Sequence, residues 1–359
     1  MSSELNFGNL SVSIFGESHG AGIGAVINGL PAGVELDMEK ILDFMARRAP
    51  KKDGMSTRRS EKDTPEILSG FYNGKTTGTP LAAVIRNTDT RSQDYGNISM
   101  AARPDHADYT GFKRYKGAND PRGGGHFSGR LTAPLVFAGA VCAQVLERYG
   151  ITSCAHILAI DGIYDDAFDE LEIYPELMER IKKAEMPLIN ESKAVEMKAR
   201  VLAASEELDS VGGIIECAVT GLPAGIGSPM FDGLENRISM AVFGIPAVKA
   251  VAFGKGFGFA EMRGSQANDP MYIDSDGKVK TDTNNNGGIY GGISSGMPVI
   301  FTAAIKPTPS IAKPQNTVDF IKNENTELVI KGRHDACIVP RAVPVVEAAA
   351  NIAILSFLV

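Results

Sequence analysis

One large α/β-type domain is what this sequence predicts, on three observations. Apolar runs of strand length recur along the chain, longer amphipathic or apolar segments with helical spacing fall between them, and no composition shift marks a linker. The 359 residues can bury a sizeable core, and 43% hydrophobic and 22% charged residues are ordinary for a globular chain. The order of runs and helices does not give the sheet topology; a doubly wound parallel sheet is the unaided expectation, over a single domain, 1–359.

The strand-like runs are residues 10–15, 24–27, 81–85, 214–219, 247–253 and 299–304, most of them bounded by Gly, Pro or Asn. Residues 38–48 place Ile41, Leu42, Met45 and Ala46 on one stripe behind Asp37, a candidate N-cap. Residues 132–149 are apolar around most of the circumference, which predicts a buried helix. Residues 196–208 and 342–358 are further helices, the last apolar apart from Glu347 and Asn351. The Glu- and Lys-rich stretch 165–205 reads as solvent-facing helices and loops away from the chemistry.

A net charge of −7 argues against nucleic acid or an anionic membrane as partner, and makes local arginine clusters look like a site. No run approaches the roughly 18–20 apolar residues of a membrane span, and no signal peptide is visible. The four cysteines are widely spaced without a Cys-x-x-Cys pair. They predict neither metal nor disulfides, and a reducing cytoplasmic location follows as the expectation.

Chemistry concentrates around four of the five histidines. Phe15-Gly-Glu-Ser18-His19-Gly follows a strand-like run, so Ser18 and His19 sit on a glycine-framed turn. It lacks the Gly-x-Ser-x-Gly of a hydrolase elbow. In Arg103-Pro-Asp-His106-Ala-Asp108, Pro104 keeps Arg103 out of helix, and Asp105 or Asp108 can raise the basicity of His106. Arg122-Gly-Gly-Gly-His126-Phe-Ser128-Gly-Arg130 leads into the buried helix and suits an anion at a helix N-terminus, though it is neither a P-loop nor a Rossmann fingerprint. Lys331-Gly-Arg333-His334-Asp335 precedes the last helix, with Arg341 beyond. The basic run Arg47-Arg48, Lys51-Lys52 and Arg58-Arg59, and the segment Asn284-Asn-Asn-Gly-Gly-Ile-Tyr-Gly291 followed by Lys306-Pro-Thr-Pro-Ser310, add cations and backbone donors suited to a phosphate and an aromatic ring. Imidazoles beside anion holders suggest an enzyme acting on a phosphorylated small molecule.

In order and together, these segments closely resemble the chorismate synthase family. The match includes Glu66-Ile-Leu-Ser-Gly, Asn87-Thr-Asp-Thr-Arg-Ser-Gln-Asp-Tyr and Gly291-Gly-Ile-Ser-Ser-Gly, and runs nearly the whole chain. The resemblance implies an α+β fold, a β-α-β sandwich with helices between two antiparallel sheets, assembled as a homotetramer. It implies conversion of 5-enolpyruvylshikimate 3-phosphate to chorismate by 1,4-anti elimination of phosphate, a carbon–oxygen lyase step of the shikimate pathway toward aromatic amino acids. Reduced FMN is the implied cofactor, with NADPH as candidate reductant.

Carried over by position, the resemblance makes His19 the acid near the departing phosphate and His106 the group that protonates the reduced flavin or stabilises its anion. It places Ser18 and Ser128 in a proton relay, and Asp335 in deprotonation. Arg48, Arg130, Arg333 and Arg341 would hold substrate. Cofactor contacts map to Arg48, His126, Phe127, Ser128, Pro246, Ala247, Gly291, Lys306, Pro307, Thr308, Pro309, Ser310 and Arg333. The chain departs from the common pattern at His126-Phe127, at Pro246, and at Gly54, where some members carry an arginine linked to nicotinamide nucleotide binding. A flavin oxidoreductase and a binding homologue without chemistry are the rival classes.

Overall fold

In the computed structural model, residues 3–50, 63–88, 101–330 and 335–359 are described. The first sheet takes β1 (Glu4–Asn6), β2 (Ser11–Gly16), β3 (Gly22–Asn28), β4 (Pro65–Ser69) and β7 (Leu81–Arg86), in the order β1-β2-β3-β7-β4. A small hairpin, β5 (Phe71–Tyr72) and β6 (Lys75–Thr76), joins β4 to β7. Ile23, Ala25 and Ile27 on β3 and Leu81, Ala83 and Ile85 on β7 are buried at every second position, the pattern of a sheet with one face on the core.

The second sheet has the order β11-β16-β10-β8-β9. Its strands are β8 (Thr152–Ile160), β9 (Ile163–Tyr164), β10 (Gly213–Thr220), β11 (Val248–Phe253) and β16 (Val299–Ile305). The remaining strands form three hairpins: β12 (Met271–Ile273) with β13 (Val279–Thr281), β14 (Ile289–Tyr290) with β15 (Ile293–Ser294), and β17 (Gln315–Asp319) with β18 (Glu324–Leu328). Every strand pairing among the described residues is antiparallel, so the doubly wound parallel sheet is corrected. The signal misleads because β8 and β10 are buried on both faces, as parallel strands usually are. Here the outer face is covered by α4 (Pro175–Lys183) and the segment leading to it. Cys154, Phe168, Ile173, Met178 and Ile181 form a second, smaller core there, so part of the stretch expected to face solvent is packed.

Two helices fill the space between the sheets, as the resemblance implies. α3 (Thr132–Glu147) packs on β2, β3 and β7, while α8 (Val339–Leu355) packs on β8 and β10. Their mutual approach is set by Gly139: a Cβ built there would lie 2.2 Å from Ala348 Cβ and 2.3 Å from its Cα. α1 (Met38–Ala46) lies beside α3, capped as expected by Asp37, whose Oδ1 accepts from the N–H groups of Glu39 at 2.9 Å and Lys40 at 3.2 Å. α2 (Asp108–Tyr115), α5 (Lys193–Glu206), α6 (Leu234–Phe243) and the short α7 (Gly264–Ala267) complete the helices. Gly129–Glu147 is long and apolar enough to cross a membrane by composition alone, but 83% of its most apolar window is buried in this core.

Candidate active site

One cavity of about 870 Å³ opens where the N-terminal ends of α3 and α8 and the C-terminal end of α1 meet the two sheets. Val12, Ile14, Leu131, Leu135, Ala241 and Ile245 supply its apolar wall. Its charged side chains include Arg48, Arg103, Arg130, Arg341, Lys306, Asp105 and Asp335, and two imidazoles, His106 and His126, also line it.

The positions of the cations follow from the helices. Arg48 leaves the last turn of α1, Arg130 lies in the 3-10 turn that enters α3, and Arg341 is in the first turn of α8. The two ends are tied where Arg341 Nε donates to the Arg48 carbonyl at 3.0 Å. Arg48 and Arg130 both ion-pair with the buried Asp63. Arg48 Nη1 also donates to Thr132 Oγ1 at 3.3 Å, and Arg130 Nε to Asn87 Oδ1 at 3.3 Å. Burial, with Arg341 and Arg130 nearby, pushes Arg48 below the usual guanidinium range against the pull of Asp63. Burial alone would raise the Asp63 carboxyl, but the two guanidiniums hold it low.

A second cluster surrounds His106. Its Nδ1 lies 2.7 Å from Asp108 Oδ1, while Arg103 donates to both Asp108 oxygens, at 2.7 Å and 2.8 Å. A carboxylate only accepts, and it lies closer to Nδ1 than Arg103 Nη2 does at 3.0 Å, so the proton is assigned to Nδ1, and Nε2 has no hydrogen-bond partner among the described residues. Burial opposes ionisation of Asp108, yet the hydrogen bonds from Arg103 and His106 keep it far below the carboxylate range. Of the two acids expected to serve His106, Asp108 does so; Asp105 instead takes Lys306 Nζ.

Between the histidines runs a glycine arch. Gly123, Gly124 and Gly125 have φ of 59°, 82° and 54°, a run of left-handed backbone that side chains disfavour. A Cβ on Gly123 would fall 2.0 Å from the His19 ring, and one on Gly124 would lie 3.3 Å from His106 Nε2. Gly123 lines the cavity, whereas Ser18 and His19 are buried behind it and do not. Ser18 N–H donates to the Gly125 carbonyl at 3.2 Å, and Ser18 Oγ has no hydrogen-bond partner among the described residues. The arch is pinned at its far end by His126, whose Nδ1–H donates to the Gly16 carbonyl at 2.8 Å while Nε2 accepts from Ser3 Oγ at 2.5 Å.

The other expected contacts divide. Phe127, Ser128, Pro246, Ala247, Lys306, Thr308, Pro309, Ser310 and Asp335 all line the cavity. Ser128 caps the turn before α3, its Oγ accepting from Arg130 N–H at 3.3 Å, and Asp335 accepts from Arg341 Nη1 at 2.6 Å. Pro307 flanks the lining, but Gly291 does not line the cavity: it forms the β14–β15 turn. The preceding asparagines are not presented to a ligand either, because the N–H groups of Asn285 and Asn286 donate to Asp269 at 2.7 Å and 3.1 Å. Gly54, Arg333, His334 and the basic run from Lys51 to Arg59 lie outside the described residues.

Sequence reasoning missed Asp63, and quoted Arg103 and Asn87 without giving them a part. The spacing Arg103…His106…Asp108 was the available signal for the triad, since three side chains within six residues at a loop-to-helix junction can converge. Nothing local marked Asp63.

Comparisons with known proteins bear on the family and the fold. The family model for chorismate synthase matches residues 10–359. A chorismate synthase of Korarchaeum cryptofilum is 46% identical over 335 residues, covering 93% of this chain and 91% of its own. One from Pyrococcus abyssi is 47% identical over 339 residues, covering 94% and 92%. A crystal structure described as chorismate synthase superposes with a TM-score of 0.75 at 30% identity, covering 97% of this chain and 91% of that one. A match across almost the whole length, in sequence and in fold, places the chain in the chorismate synthase family.

Proposed function

We propose that the chain converts 5-enolpyruvylshikimate 3-phosphate to chorismate by 1,4-anti elimination of phosphate, a carbon–oxygen lyase reaction, with reduced FMN bound. The observation that carries this is the convergence of Arg48, Arg130, Arg341 and His106 on one cavity. A substrate with a phosphate and two carboxylates needs several cations, and guanidiniums match such oxyanions in two-pronged geometry.

The residues present fit a flavin. About 870 Å³ lies in the range of cofactor sites, the apolar wall suits a flat ring, and Thr308 Oγ1 is a buried hydroxyl with no partner among the described residues. Phe127, Pro246, Ala247, Lys306 and Ser310 would hold the cofactor. When bound, the reduced flavin supplies electron density to the reacting allylic system.

The protein holds charge and protons. His106, held at Nδ1 by Asp108, presents Nε2 at the cavity wall, where it accepts a proton as the Nδ1–H tautomer and donates one from the doubly protonated ring. His19 is the acid for the departing phosphate, acting with Ser18 from behind the glycine arch, and Ser128 fixes the turn carrying Arg130. Asp335, held by Arg341, is the group for the ring proton. The elimination returns the flavin unchanged, so NADPH or another reductant is needed only to prime it. We further place the enzyme in the cytoplasm as a homotetramer. Exposed apolar side chains such as Phe231 (92%) and Phe257 (88%) support association.

The test is anaerobic: photoreduced FMN and substrate are mixed with the protein while phosphate and chorismate are followed, with NADPH then replacing photoreduction. Stoichiometric release of both products is expected; their absence under fully reduced flavin refutes the reading.

A further inference from the structure

Asp63 stands behind the substrate cations rather than beside the substrate. Its side chain is 4% exposed and does not line the cavity, although Arg48 and Arg130 on either side of it do. Its two oxygens are divided between them: Oδ2 accepts from Arg48 Nη2 and Oδ1 from Arg130 Nη1. The two guanidiniums come from distant elements, the end of α1 and the entry to α3, so the width of one carboxylate fixes their spacing.

We infer that Asp63 is a positioning residue of the anion site, a fixed internal carboxylate that holds Arg48 and Arg130 at the separation an incoming phosphate or carboxylate requires. The inference rests on the reading that these two arginines hold the substrate. Arg48 still has Nε buried without a hydrogen-bond partner among the described residues, so the acid does not exhaust its donors. Arg341 adds a third guanidinium to the cluster, its Nε on the Arg48 carbonyl at 3.0 Å. Without an internal anion, three desolvated cations repel one another and spread. A buried ion pair of this kind adds little net stability, but it does fix geometry. An alternative role, a placeholder evicted by substrate, predicts the opposite sign and sits poorly with an acid outside the cavity lining.

Asp63→Asn in the full-length, FMN-loaded protein tests this. Calorimetric titration with 5-enolpyruvylshikimate 3-phosphate, and separately with inorganic phosphate, should show substrate affinity falling about tenfold, the loss of roughly one charge-assisted contact geometry. KM should rise by a similar factor with kcat much less changed, whereas a merely structural lesion lowers the active fraction and leaves KM alone. Asp63→Glu, which keeps the charge but moves it out by one methylene, should fall between the two. Unchanged or tighter binding in Asp63→Asn overturns the proposal. Should that variant fail to fold, wild-type affinity in Asp63→Glu overturns it equally. Absence of chorismate with the unaltered protein would instead refute the functional reading, while the binding titrations still decide the role of Asp63.

Discussion

His106 Nδ1 and Asp108 Oδ1 are 2.7 Å apart, which leaves Nε2 as the ring nitrogen able to exchange a proton with anything in the cavity. Removing the ring with His106→Ala should lower kcat by about 10²-fold or more, the usual worth of a placed proton donor. The fold should survive, because the ring sits in a polar loop. Asp108→Asn should lower kcat as well, since an amide no longer selects the Nδ1–H tautomer. Turnover under fully reduced FMN within twofold of wild type in either variant would remove His106 from the chemistry.

Arg48→Ala should act chiefly on substrate binding, raising KM more than it lowers kcat. It should also destabilise the protein by about 3 kcal/mol, because Asp63 then keeps only one of its two counter-ions in a buried setting. Steady-state kinetics together with denaturant unfolding separate the two effects, and an unaltered KM contradicts the assignment.

The fifth histidine gives a pH signature unconnected with catalysis. His156 is fully buried on the outer face of the second sheet, with Nε2 2.8 Å from Glu216 Oε2 and Nδ1 3.4 Å from Asp165 Oδ2. Burial would lower its pKa, but the two carboxylates outweigh burial and raise it. A raised folded-state pKa stabilises fully below the unfolded value, about 6.5, and that contribution is lost as pH rises through the folded value. Thermal unfolding should therefore show Tm falling as pH rises above neutrality, and His156→Gln should flatten that part of the profile. A slope identical to wild type would show that the ion pair does not contribute.

Gly139 is the packing counterpart. A side chain there meets Ala348 in α8, and neither helix can retreat because each is backed by a sheet. Gly139→Val should cost about 1–3 kcal/mol or more by overpacking and lower Tm by several degrees. A Tm equal to wild type would mean that the helices part more easily than this packing allows.

The buried helices were legible in the sequence because their apolar residues go all the way round, as on α3, and the N-cap at Asp37 was legible because capping is local. Sheet direction was not. Ile215 and its neighbours through Val219 on β10 are buried on both faces whether the next strand runs parallel or antiparallel, and only the pairing with β8 and β16 decides. The histidine motifs singled out His106, which lines the cavity, but sequence reasoning could not tell that His126 would spend both ring nitrogens on Ser3 and Gly16. Nor could it pair Asp63 with Arg48 and Arg130, because those contacts exist only once α1 and α3 lie side by side. The asparagines at 284–286 mimic a ligand loop in composition, yet Asp269 takes donors of Asn285 and Asn286, and the Asn284 amide donates to the Glu170 and Pro298 carbonyls.

The segment Gly123–Gly125 gives the two proposed acids a shared mechanical support. A Cβ on Gly123 would strike the His19 ring and one on the next residue, Gly124, would lie 3.3 Å from His106 Nε2, so both imidazoles adjoin the same two-residue stretch of backbone. Changes at the two histidines should therefore be coupled, and a double-mutant cycle should depart from additivity by roughly 0.5 kcal/mol or more in the kinetic barrier. What reads along the chain as two separate motifs meets in the folded protein on two adjoining glycines, one beside each imidazole.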